Sequence, residues 1–157
     1  MQPNIGITES NRQDVVNLLS ILLADEFILY TKTRHAHWNI ESPDFYTVHK
    51  FFETQFGTLD GIVDAVAERI RTLGHYTSST LKNFLNLTHL SETSNQENDS
   101  QGFIKILLED HESVIVYLRE IINNISDNLK DVGTADFLTS LLEQHEKMAW
   151  FLRAHLK

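Results

Sequence analysis

The sequence predicts an all-α protein built as a bundle of four long helices. Three observations point there. Apolar residues recur every three or four positions rather than alternating, the chain holds only 2 Pro and 6 Gly, and one wholly polar tract, Ser91 to Ser100, interrupts the pattern near the middle. With 157 residues and 41% hydrophobic content the chain suits one domain, 1–157, with a single core.

The first helix is expected to start near Thr8 or Ser10, where Ser10-Asn-Arg-Gln13 fits a capping box, and to run to about Asn39. Val15, Leu18, Leu19, Leu22 and Leu29 form its inward stripe. Pro43 breaks the pattern by restricting Ser42, and Ser42 or Asp44 can cap the next helix. The second helix spans about 44 to 73. Phe45, Phe52, Leu59 and Val66, interleaved with Val48, Phe56, Val63 and Ile70, define its core seam. Gly74 is placed to end it.

Residues 75 to 100 form a connection in which Leu81 to Leu87 makes a short extra helix. A third long helix, about 101 to 125, carries Phe103, Leu107, Val114, Leu118, Ile121 and Ile125. Asp127 to Gly133 form a turn, Thr134 is the expected cap, and the last helix runs from about 135 to 155 with Leu138, Leu141, Leu142, Met148 and Leu152 inward. A connection long enough to cross the bundle between the second and third long helices makes the architecture ferritin-like.

The chain has no cysteine, which removes disulfides, thiolate metal sites and cysteine nucleophiles. Histidine and carboxylates remain as the strong ligands. The start of the chain lacks the basic residues and apolar run of a signal peptide, and no segment reaches the length of a membrane span, so a cytoplasmic protein is expected. A net charge of −9, from 22 acidic and 13 basic residues, opposes non-specific attraction to DNA or anionic lipid and favours cations.

The chemistry concentrates between Arg34 and Arg71, which contains His37, His49, Glu53, Asp64 and Glu68. On a helix, His49 pairs with Glu53 and Asp64 with Glu68, each one turn apart on one flank. That flank is centred roughly 110° away from the core seam. Glu53 and Asp64 are eleven residues apart, roughly 16 Å along a helix, so one ion cannot touch both pairs of one chain. The usual di-iron signature needs Glu-x-x-His on two helices, and no Glu here is followed three residues later by His.

A second copy of the helix, packed antiparallel, removes the difficulty. The pairs 53/64 and 49/68 share the midpoint 58.5. Glu53 of one chain then faces Asp64 of the other, and His49 faces Glu68, in an isologous dimer with two equivalent sites. Gly57 and Gly61 flank the crossing point and allow close approach, at a helix cost of about 1 kcal/mol each relative to Ala. His37 can supply a further nitrogen. A solvated charged face is the alternative for these residues.

Three runs carry a family resemblance: Lys32-Thr-Arg-His-Ala-His37-Trp38-Asn39, Val48-His49-Lys-Phe-Phe52-Glu53 and Asp64-Ala-Val-Ala-Glu68-Arg69-Ile-Arg-Thr-Leu-Gly74. With Gln144-His145-Glu146-Lys147-Met-Ala-Trp150-Phe-Leu-Arg-Ala154 they resemble the signature of the Dps family, the ferritin-like mini-ferritins of starved or peroxide-stressed bacteria. The resemblance implies a hollow homododecamer built from two-fold dimers. It implies ferroxidase sites made by His37, His49 and Glu53 of one chain with Asp64 and Glu68 of its partner. It further implies oxidation of Fe(II), preferentially by hydrogen peroxide, and storage of ferric oxide that protects against oxidative damage. Zinc or manganese are alternative cations for the same ligands.

Trp38, next to His37, is a candidate trap for stray oxidising equivalents, with interface packing as the alternative. Asp127, Asp131 and Asp136 are candidates for an acidic iron pore or, individually, for turns and caps. Glu41 and Asp44 read as loop residues or as cavity-facing acids. His35, His75, His89, His111, His145 and His155 have no partner spacing, although His145 and Asp110 fall on core stripes, where satisfied buried polar groups are expected. A nucleoid DNA-binding protein with secondary iron chemistry is the competing function. Against it, residues 1 to 31 contain Arg12 and no lysine, so there is no lysine-rich tail at that end.

Overall fold

The computed structural model describes residues 3–92 and 98–156. Residues 93–97 of the polar tract Ser91 to Ser100 lie outside them. The elements are α1 (Glu9–Asn39), α2 (Phe45–Thr72), the short α3 (Leu81–Leu87), α4 (Ser100–Asp127) and α5 (Val132–Ala154), with no strand among the described residues. The fold is all-α, a ferritin-like four-helix bundle in which α1 packs on α2 and α4 packs on α5.

One core runs the length of the bundle. On α2 it is made by Val48, Phe52, Leu59, Ile62, Val66 and Ile70, each Val, Leu, Ile or Phe side chain contributing about 1.5–3 kcal/mol when fully buried. Phe45, expected on this seam, is 44% exposed, while Phe56 and Val63 are half-buried. The stripe is shifted toward Gln55 and Ile62 because α2 meets α1 along most of its length and α5 only weakly. The α4 residues Phe103, Leu107, Val114, Leu118, Ile121 and Ile125 are all buried, as are Leu138, Leu141, Leu142, Met148 and Leu152 of α5.

The start of α4 lies beside the start of α2. The Glu41 N–H donates to the Asn98 carbonyl at 2.7 Å, and Ser100 Oγ donates to Asp44 Oδ1 at 3.0 Å. The two helices therefore run parallel, which requires the connection between them to cross the bundle. α3 lies in that connection and packs on α1, with Phe27 and Phe84 stacked at 4.6 Å.

Two helix starts fall on one of the two expected residues, and that of α5 departs from expectation. Thr8, not Ser10, caps α1 and accepts from the Asn11 N–H at 3.2 Å. Asp44 occupies the cap position of α2 but makes no capping bond. Its carboxylate instead takes the hydroxyls of Ser42 and Ser100, which hold it below its usual value. α5 begins at Val132 rather than 135, with Asp131 as its cap and Thr134 one turn inside. Asp131 Oδ1 accepts from the Thr134 N–H at 2.9 Å and Oδ2 from its hydroxyl at 2.5 Å. The deciding element is distant in sequence: Arg69 of α2 donates to Asp131 Oδ1 at 3.3 Å and to Thr134 Oγ1 at 2.9 Å.

The end of α2 obeys the expected rule. Gly74 has φ +92°, and the paired bonds Gly74 N–H to Arg71 O and His75 N–H to Ile70 O close a Schellman motif.

Asp131 is 2% exposed and joins the cap of α5 to α2. Asp131→Ala is expected to destabilise the fold by at least the ~1–2 kcal/mol of a lost N-cap, measured by urea unfolding. Asp131→Asn, which keeps the capping oxygen, should recover most of that loss.

Candidate metal centre

The end of α1 and the start of α2 are fastened by two histidines. His37, in the last turn of α1, and His49, in the second turn of α2, stack with ring centroids 3.7 Å apart and planes 21° apart. His37 Nδ1 lies 2.8 Å from the His49 carbonyl, and His49 Nδ1 lies 2.8 Å from the His37 carbonyl. A carbonyl only accepts, so each Nδ1 must carry the proton. In the neutral ring this leaves Nε2 as the bare lone pair, the form that binds a metal ion, with the second ring nitrogen held by a backbone partner. Phe45 stacks on His49 at 5.0 Å and Phe56 meets His37 edge-on at 5.1 Å, which fixes both rings from either side.

Glu53, one turn beyond His49, is exposed and accepts from Lys50 Nζ at 2.6 Å. That hydrogen bond and the Lys50 charge hold its carboxyl below the usual value, with smaller contributions from His37 and His49. Asp64 and Glu68, further along α2, are exposed and bond to no other described residue. Among the described residues no group of three or more His, Asp or Glu side chains is placed to hold a metal ion. The structure thus brings His37, His49 and Glu53 into one region and leaves Asp64 and Glu68 apart from them.

Between the two groups α2 is bare. Gly57 and Gly61 are exposed, and a Cβ at either would meet nothing within 4 Å. Nothing in the chain's own packing calls for a glycine at these positions.

Trp38 is 65% exposed, with the Arg34 guanidinium 5.2 Å from its ring. Arg34 also lies 4.4 Å from Phe56 and donates to Tyr30 Oη at 2.8 Å, so it ties Trp38 to the flank that carries His37. Of the acidic residues near the start of α5, Asp127 and Asp136 are exposed. Asp131 is buried with both oxygens engaged, so its side chain is a helix cap facing Arg69 and offers no free oxygen to a pore. Glu41 is exposed.

A second polar cluster, buried in the bundle, joins residues to which sequence spacing assigned no partners. His145 Nε2 lies 2.8 Å from Glu26 Oε1, and His145 Nδ1 lies 2.9 Å from His111 Nδ1. His145 and Asp110 are buried and bonded, in keeping with their positions on core stripes. The signal for the others was available: Glu26 sits between Leu22 and Leu29, and His111 between Leu107 and Val114, at core spacing.

The ferritin family, described as a ferritin-like domain, matches residues 16–157. The chain is 41% identical to an uncharacterized low temperature-induced protein of Nostoc sp., over 98% of this chain and 86% of that one. It is 32% identical to DNA protection during starvation protein 2 of Bacillus anthracis, over 93% and 98%. Among solved structures, Dps of Mycobacterium smegmatis superposes with a TM-score of 0.93 at 30% identity, covering 100% of this chain and 95% of that one. The Dps protein of Vibrio cholerae, described as a member of a broad superfamily of ferritin-like diiron-carboxylate proteins, gives 0.92 at 28% identity, covering 99% and 97%. A matching family over nearly the whole chain, and Dps relatives in both sequence and structure, agree with the bundle and its crossing connection: the chain belongs to the ferritin-like family, in its Dps branch.

Proposed function

We propose that this protein is an iron-storing mini-ferritin, a ferroxidase whose sites are each built by two chains. The observation that carries the reading is the division of α2 into two incomplete halves. At one end His37 and His49 hold two bare Nε2 atoms beside Glu53. At the other, Asp64 and Glu68 are free carboxylates. The open glycine flank at the shared midpoint lets a second α2 approach closely, so that each half is completed by the partner.

The donor set fits iron as substrate. Imidazole nitrogens retain Fe(II), while carboxylates stabilise Fe(III) more than Fe(II) and so favour oxidation. With hydrogen peroxide as oxidant, two Fe(II) ions each give up one electron, the O–O bond breaks, and both oxygens leave as water after taking up two protons. Delivering two electrons together avoids release of a hydroxyl radical. Ferric oxide would then collect inside a dodecameric shell in the cytoplasm, and a net charge of −9 per chain draws Fe(II) toward it. Exposed Asp127 and Asp136 are the acids available to line an entry pore, and Trp38, exposed next to His37, would intercept stray oxidising equivalents. The same ligands accept zinc or manganese, which would compete with iron.

In Fe(II) oxidation by peroxide, His49→Ala and Glu68→Ala are each expected to lower the initial rate by at least the ~10–100-fold seen when even an outer partner of a metal ligand is removed. Unchanged rates in both would remove the assignment. A complementation experiment tests the sharing itself. A dimer of one His49→Ala chain and one Glu68→Ala chain has one site with both defects and one intact site. Co-expression with random pairing is therefore expected to restore about a quarter of wild-type activity. Sites built within one chain would give no recovery.

The relatives named for DNA protection motivate a second reading, direct DNA binding. The acidic chain is expected to give no retention of duplex DNA in a gel shift at near-physiological salt, and salt-dependent retention would support that reading.

A further inference from the structure

The buried cluster Glu26–His145–His111 links three helices, α1, α5 and α4, and takes no part in the metal chemistry above. Glu26 and His145 are 0% exposed and His111 is 1% exposed. The contacts are short and form a chain: Glu26 Oε1 to His145 Nε2 at 2.8 Å, then His145 Nδ1 to His111 Nδ1 at 2.9 Å. Glu26 Oε2 has no hydrogen-bond partner.

A metal reading is excluded by the layout. Only two nitrogens meet, and Glu26 holds the far side of the His145 ring, so at most two protein ligands would converge. A proton reading is enforced by it. A hydrogen bond between two ring nitrogens contains one proton, because one nitrogen donates and the other must be bare. If both rings became imidazolium, two N–H groups would point at each other across 2.9 Å.

We propose that the His111–His145 pair is an acid-operated latch in the bundle core: with one proton between the rings it ties α4 to α5 and, through Glu26, to α1. A further proton forces the rings apart and loosens the bundle. The latch rests on the fold alone and is independent of the proposed iron chemistry.

The surroundings favour this behaviour. Burial, with the neighbouring His145, holds the His111 imidazole well below its usual value. An unfolded chain therefore binds a proton at His111 below about pH 6.5 that the folded chain refuses. Stability from this group is present above that pH and is lost as pH falls through it. The other buried titratable groups facing the core nearby are already engaged. Lys32 of α1 pairs with Asp110 of α4 at 2.5 Å, and Asp25 of α1 accepts from Thr88 and from His89, the residues just after α3. Among the described residues, α2 buries no titratable side chain, and α5 buries only His145.

The test is urea unfolding of the whole protein from pH 7.5 to 5, wild type against His111→Gln. The Gln carbonyl can accept a ring N–H of His145, which removes the conflict, while the histidines outside the pair are unchanged and cancel in the comparison. Wild type is expected to lose up to about tenfold more in its folding equilibrium constant per pH unit below 6.5 than the variant, the slope of one linked proton. Parallel pH dependence in the two would overturn the latch. Nitrogen-15 imidazole spectra of the folded wild-type protein give a second readout should the variant fold poorly. One bare nitrogen retained between His111 and His145 down to the onset of unfolding supports the latch, and two imidazolium rings in an unperturbed fold would overturn it.

Discussion

The two hydrogen bonds exchanged by His37 and His49 are the constraint on which the candidate centre depends. Each side chain bonds the other residue's backbone carbonyl, so the rings cannot turn without breaking the junction between α1 and α2. One contact closes the helical hairpin, orients both rings and selects the tautomer that leaves Nε2 free. As proposed ligands, imidazole nitrogens on so fixed a junction would be preorganised and would need little further ordering to take an ion. The parallel arrangement of α2 and α4 supports the same junction from outside, because Asn98 and Ser100 bond to Glu41 and Asp44 in the segment between the two helices.

Much of the bundle was legible from spacing. The inward stripes of α4 and α5 follow from apolar periodicity, and the short helix Leu81–Leu87 lies where the connection was expected to hold one. What spacing could not resolve was choice among equivalent local signals. Thr8 and Ser10 are both good N-caps, as are Asp131 and Thr134. At α5 the choice is made by Arg69, more than sixty residues earlier, which draws Asp131 into the cap and leaves Thr134 to bond behind it. Gly133 reads as part of a turn, yet it occupies the first turn of α5, where a Cβ would come 3.3 Å from Arg69 Nη2.

The candidate centre was legible in its residue types and in its incompleteness, since eleven residues of helix cannot be folded back on themselves. The mutual bonds of His37 and His49 were not, because they join side chains to backbone across a break in helix. The Glu26–His145–His111 chain was hidden for another reason: helical periodicity says which residues face inward, but not which inward stripes meet at one level. Both clusters use histidine, with opposite outcomes. At the junction the outer nitrogens are left free, whereas in the core the facing nitrogens are consumed by each other.

Gly57 and Gly61 have a consequence for the free chain. They place the two weakest helix formers short of proline in the middle of α2, on a face where the chain itself supplies no cover. In the paired arrangement proposed above, contact with a second α2 would offset that weakness and link helix order to association. Under that proposal protein concentration would act on the rigidity of α2 much as a ligand does, and dilution alone would soften the helix that carries His49, Glu53, Asp64 and Glu68.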